Sequence, residues 1–151
     1  MPTLQRAIEI ATYAHEGQVR FNGEPYITHP IAVMELVRIQ GHSETAQQLA
    51  VLHDAPEDSD GRVTLESLEA EGFGPEILTP LDLLTKAPGE DYELYVSRLC
   101  TNPRARTVKK ADLFKNMDLT GIENPTRNQI LNVEKYGRAL VYIARYPQPI
   151  V

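Results

Sequence analysis

The apolar residues of this chain recur at spacings of three and four and almost never alternate. Over the first stretch Leu4, Ala7, Ile8, Ala11 and Ala14 fall on one side of a 3.6-residue turn. The same period returns down the chain, so its apolar surface can be buried only by packing helices against one another. No alternating strand pattern of useful length, internal repeat or low-complexity tract interrupts it. The sequence therefore reads as all-α, a compact bundle of about seven or eight helices.

Breakers and caps divide that pattern. A first helix runs from Leu4 to about His15 and is closed by Gly17. Residues 18–30 carry Asn22-Gly23, Pro25 and Pro30 and read as a loop holding Arg20, Tyr26 and His29. Pro30 suits the first position of a second helix, Ile31 to about Gln40, ended by Gly41. Ser43 caps a third, Glu44 to about Ala55, with His53 on the same face as Ala46, Leu49 and Ala50. Thr64 starts a short helix with Leu65 and Leu68, and Glu76 to Leu84 forms another. Glu90 to Cys100 and a long segment from Asn102-Pro103 to about Leu119 follow. Thr126 begins the last helix, terminated by Pro147.

At 151 residues the chain is expected to form one domain, residues 1–151, with a real core. A net charge of -6, with no basic tail or stripe, argues against a general nucleic-acid binder. Cys100 is the single cysteine, so neither an intramolecular disulfide nor a thiolate metal cluster can form. The N-terminus lacks a signal-peptide core and no run approaches the roughly 18 apolar residues of a membrane span. A cytoplasmic soluble protein without membrane association is the expectation, and homo-oligomers are left open.

The chemistry concentrates in Leu49-Ala-Val-Leu-His-Asp-Ala-Pro-Glu-Asp58, where an apolar run ends in an adjacent imidazole and carboxylate. Such a pair at the end of a buried helix is costly to desolvate unless something binds it. Taken one at a time, His15, His29 and His53 each read as structural, and His42 sits in an exposed turn. As a set, His29, His53, Asp54 and the later helical Asp112 offer two nitrogens and two oxygens from three segments. That donor set suits a borderline divalent ion such as manganese or iron, and zinc by ligand type, with positions open for water or substrate. Glu57 and Asp58 follow within one turn, where carboxylates beside a metal can orient and deprotonate water. Asp112 and Asn116 are four apart on one helix face, with Lys109 a turn earlier. Tyr92, Tyr95, Tyr136 and Tyr142 read singly as core or rim residues.

Four motifs in order carry a resemblance: Ala14-His-Glu-Gly-Gln-Val-Arg20, Gly23-Glu-Pro-Tyr-Ile-Thr-His-Pro30, Leu52-His-Asp-Ala-Pro-Glu-Asp58 and Val108-Lys-Lys-Ala-Asp-Leu-Phe-Lys-Asn116. The chain resembles HD-domain metal-dependent phosphohydrolases. More closely, it is similar to the (p)ppGpp hydrolase domain of the RelA/SpoT-homologue family in its short form, the small alarmone hydrolases. The resemblance implies an HD-type helical bundle in which His29, His53, Asp54 and Asp112 hold a divalent ion, commonly manganese. It implies that Glu57 and Asp58 position or activate the attacking water. It places Arg20 in the loop against the purine base, Asn116 and Tyr136 near the nucleotide, Lys109 at the family's lysine, and His15 in a supporting position.

The activity so implied is removal of the 3′-pyrophosphate from ppGpp or pppGpp, giving GDP or GTP and pyrophosphate. With no room for synthetase or regulatory domains, such a chain is expected only to degrade. One departure stands out: the family usually has Arg-Lys in the first loop, and here Arg20 is followed by Phe21. A cation facing the base or phosphate is missing, which keeps an HD-type phosphatase acting on a nucleoside monophosphate or NADPH as an alternative. A non-catalytic nucleotide-binding module is the other.

Overall fold

The computed structural model describes residues 1–146. Nine α-helices form there: α1 (Leu4–Ala14), α2 (Thr28–Ile39), α3 (Glu44–Leu52), α4 (Ala55–Asp58), α5 (Leu65–Ala70), α6 (Pro75–Leu84), α7 (Tyr92–Leu99), α8 (Pro103–Asn116) and α9 (Arg127–Arg145). The only β pairing among the described residues is an isolated bridge between Val19 and Pro25. The all-α expectation holds, and the ninth helix is the single turn α4. No helix among the described residues is long and apolar enough to cross a membrane. Pro147, the expected stop of the last helix, lies outside the described residues.

The caps do what their residue types allow. Ser43 Oγ accepts from Ala46 N–H, Asp91 from Leu94 N–H, and Asn102 Oδ1 from the N–H groups of Arg104 and Ala105. Thr64 with Ser67, and Thr126 with Gln129, close reciprocal capping boxes. After α4, Asp60 (φ 54°) and Gly61 (φ 81°) turn through left-handed backbone, which asparagine-like and glycine residues tolerate best.

The core is organised around α3, buried on nearly every side through Ala46, Gln48, Leu49, Ala50, Val51 and Leu52. It packs against α1, α2, α6 and α8, and α8 packs in turn on α2 and α9. Leu49, Leu52, Leu81, Leu99 and Leu113 are fully enclosed there.

Three boundaries differ from the sequence reading, and the first two matter to function. The second helix starts at Thr28, so His29 and Pro30 lie in its first turn instead of before it. The first four N–H groups of a helix lack intrahelical acceptors, so proline is as tolerable at the third position as at the first. The third helix stops at Leu52, and His53 and Asp54 form a junction before α4, so the pair does not continue a helix to Ala55. The long helix likewise ends at Asn116, short of Leu119, with Met117 at its C-terminus.

Candidate active site

Three segments of the chain converge inside the bundle. His29 comes from the first turn of α2, His53 and Asp54 from the α3–α4 junction, and Asp112 from the inner face of α8. His29 Nε2 stands 2.8 Å and His53 Nε2 3.1 Å from the same oxygen, Asp112 Oδ1. Asp54 Oδ1 lies 3.2 Å from His53 Nε2, and its Oδ2 lies 3.9 Å from His29 Nε2. One donor atom from each of the four residues falls within 4.8 Å of all the others. That span is close to twice a metal–ligand bond of about 2.2 Å.

The supporting hydrogen bonds aim these donors. His53 Nδ1–H donates to the Ala50 carbonyl at 2.6 Å, which in the neutral ring leaves the Nε2 lone pair facing two carboxylates. A lone pair opposite a carboxylate oxygen requires a proton or a cation between them. The Tyr26 hydroxyl donates to Asp54 Oδ2 at 2.7 Å, Lys109 Nζ to Asp112 Oδ2 at 3.0 Å, and Asn116 Nδ2 to Asp112 Oδ1 at 2.9 Å. His29 Nδ1 is buried and has no hydrogen-bond partner among the described residues. Two imidazole nitrogens and two carboxylates, each oriented from behind, fit a borderline divalent cation.

Electrostatics agree with that fit. Burial opposes charge on His53, but Asp54 and Asp112 overcome it and raise the imidazole well above its ordinary value. Burial likewise opposes charge on Asp112, and Lys109 and His53 hold it well below the usual carboxylate range. Asp54 is held at about 2 against its burial, chiefly by His53. Lys109 stays charged despite burial because Asp112 faces it. Both carboxylates are thus held in the ionised form that cation binding uses, and a cation at His53 Nε2 would take the place of the proton that Asp54 and Asp112 favour there.

The two aspartates of the cluster, Asp54 and Asp112, line a cavity of about 290 Å³. Glu57 and Asp58, on the single turn α4, form one wall. Partial burial and the Asp54 charge raise both, Asp58 to about 7. Glu57 Oε1 accepts the Lys86 backbone N–H at 2.6 Å, and Gln18 Nε2 donates to the Asp58 carbonyl at 2.6 Å. Gln18 Oε1 accepts in turn from His15 Nδ1–H at 2.9 Å, so His15 supports the acidic turn through Gln18. Tyr92, Tyr95, Tyr136, Lys135 and, beside Glu57, Lys86 complete an aromatic and cationic lining.

Of the residues singled out from the sequence, Asp54, Asp112, Glu57, Asp58, Lys109, Asn116 and Tyr136 line this cavity, and His29 and His53 cluster with its two aspartates. Arg20 does not line it; its guanidinium sits 5.1 Å from the centre of the exposed Phe21 ring. Sequence reasoning noted Tyr26 in the first loop without giving it a role, missed Lys86 and Lys135, and read Tyr92 only as core or rim. Tyr26 had a signal, since it lies three residues before His29 on a loop closed by the Val19–Pro25 bridge. Lys86 and Lys135 had none, being isolated lysines on segments with no motif.

Comparison with known proteins agrees with this geometry. The family model described as HD domain matches residues 7–120. The chain is 37% identical over 123 residues to a probable GTP pyrophosphokinase of Mycobacterium leprae, covering 76% of this chain and 15% of the relative. It is 33% identical over 137 residues to a guanosine-3′,5′-bis(diphosphate) 3′-pyrophosphohydrolase of Vibrio cholerae, covering 83% of this chain and 19% of that protein. The bifunctional (p)ppGpp synthase/hydrolase SpoT of Escherichia coli is 31% identical over 137 residues, again 83% and 19%. The chain thus spans between 15% and 19% of the length of these relatives. With the family model covering most of the chain, including both histidines and both aspartates of the cluster, the chain belongs to the HD domain family.

Proposed function

We propose that this chain is a metal-dependent phosphohydrolase that removes the 3′-pyrophosphate of ppGpp or pppGpp, giving GDP or GTP and pyrophosphate. The observation that carries the reading is the convergence of two imidazoles and two carboxylates on one point, beside a second carboxylate pair and three lysines. The names of the relatives from Vibrio cholerae and Escherichia coli support the substrate. Manganese is the ion we assign, from the mixed nitrogen and oxygen donors. Held by His29, His53, Asp54 and Asp112, it would supply Lewis acidity to a phosphoryl group and acidify a water.

The other steps belong to this chain's side chains. Asp58, raised to about 7, can take a proton from an attacking water at neutral pH and return it. Glu57 keeps Oε1 on the Lys86 amide and leaves Oε2 to orient that water. Lys86 offsets the substrate's negative charge inside a protein of net charge -6. Tyr92 and Tyr136 offer ring faces to the nucleotide, with their centroids 6.4 Å apart. All these groups come from one chain, and the substrate is a small cytoplasmic nucleotide, not a nucleic acid.

The position of Arg20 outside the cavity favours a second reading, in which the same site releases orthophosphate from a nucleoside monophosphate or NADPH. Manganese-loaded protein incubated with a nucleotide panel separates the two. Pyrophosphate released from ppGpp is the expected result, and orthophosphate alone would overturn the alarmone reading.

A further inference from the structure

A second, larger cavity of about 470 Å³ lies between α7 and α9, and Tyr92 and Lys135 line both it and the catalytic cavity. These two side chains are the partition. Lys135 Nζ lies 4.3 Å from the centre of the Tyr92 ring and 5.4 Å from that of Tyr136. Among the described residues it has no carboxylate within ion-pair distance, unlike Lys109, which is committed to Asp112. The Tyr92 hydroxyl is buried and has no hydrogen-bond partner among the described residues. A buried hydroxyl without a partner and a half-buried ammonium without a counter-ion are each unfavourable unless a ligand completes them.

We propose that Lys135 and Tyr92 form a second phosphate-binding subsite, which joins the two cavities into one trough for a nucleotide phosphorylated at two positions. This deepens the function proposed above and rests on it for the reacting end. The scissile group would lie at the four-ligand cluster, and the remote phosphate would accept hydrogen bonds from Lys135 Nζ and the Tyr92 hydroxyl. The charges around Lys135 itself favour an anion there. Burial, Lys109 and Lys86 all press down on the Lys135 ammonium, so an anion is the partner that relieves it. Arg138 adds a further cation to the outer cavity, which Asp91 and Glu93 also line, Asp91 accepting the Leu94 N–H. The subsite selects for substrate class, because a nucleotide with a single phosphate leaves it empty.

The test compares Lys135→Gln and Lys135→Arg with the parent in manganese. The substrates are ppGpp and guanosine 3′-diphosphate, which lacks the 5′-phosphates. Lys135→Gln should raise the KM for ppGpp about tenfold, the size of one charge-assisted hydrogen bond, with kcat within about twofold. Guanosine 3′-diphosphate should be unaffected, and Lys135→Arg should retain the parent KM. An equal effect on both substrates, or none on either, overturns the subsite. If the parent releases no pyrophosphate, the functional reading fails, and calorimetry decides the subsite separately. Tighter binding of guanosine 3′,5′-bisphosphate than of guanosine 3′-monophosphate, lost in Lys135→Gln, supports it, and equal binding by the parent overturns it.

Discussion

The Tyr26 hydroxyl donates to Asp54 Oδ2 at 2.7 Å, tying the loop after α1 to a carboxylate of the cluster. The other oxygen, Oδ1, is left facing His53 Nε2. Partners that orient a metal ligand from behind typically contribute 10–100-fold to affinity. Tyr26→Phe should therefore weaken manganese binding about tenfold while the helical circular dichroism stays unchanged. Titration of the metal-free protein checks this, and parental affinity in the variant would remove Tyr26 from the site.

Asp54→Ala removes one of the four proposed ligands. Manganese binding and hydrolysis should both disappear, whereas full activity after this change would refute the ligand set. The measurement is metal content after gel filtration, taken alongside turnover.

Glu57→Gln keeps an oxygen that can accept the Lys86 amide but loses the negative charge. The variant should bind manganese like the parent and turn over at least about 100-fold more slowly, as expected for loss of a general base or water-orienting carboxylate. An unchanged kcat would remove Glu57 from the mechanism.

Asp58 sets a pH dependence whose sign follows from its raised carboxyl, at about 7. Folding favours the protonated form, so this contribution to stability is fully present below the unfolded value of about 4 and is lost as pH rises through 7. In metal-free protein, Asp58→Asn should stabilise more at pH 8 than at pH 5, read from urea midpoints in chelator. The same proton should leave when a cation binds. Calorimetry at pH 6.5 in buffers of different ionisation enthalpy should therefore show proton release, diminished in Asp58→Asn.

Lys109 Nζ and Asp112 Oδ2, 3.0 Å apart, form a pair with side chains only 12% and 5% exposed. Removing one member of a buried pair strands the other, at a cost of roughly 3 kcal/mol. Lys109→Met should lower the unfolding free energy of the metal-free protein by about that amount. Chemical denaturation is the check, and a loss under about 0.5 kcal/mol, the range of ordinary surface changes, would show that the charge is not buried in solution.

Helix identity was legible because it depends on local signals. Ser43, Thr64, Asn102 and Thr126 cap the helices they were expected to start, since a cap bonds to an N–H two or three residues away. Helix ends were less legible. Pro30 suits any position of a first turn, and the α3–α4 break at His53-Asp54 carries no glycine or preceding proline to mark it.

By itself, then, the sequence determined the helical period and the buried faces, and it pointed to the four residues that cluster, because residue type and spacing along one chain encode them. Only the tertiary structure decided that His29 and His53 meet at a single oxygen of Asp112, residues 83 and 59 positions away. The packing of α2 against both α3 and α8 sets that distance. It also decided that Tyr26 reaches Asp54, and that Lys135 divides two cavities while Arg20 stands outside the first. Contacts between side chains on separate helices depend on how those helices cross, and no local pattern records a crossing.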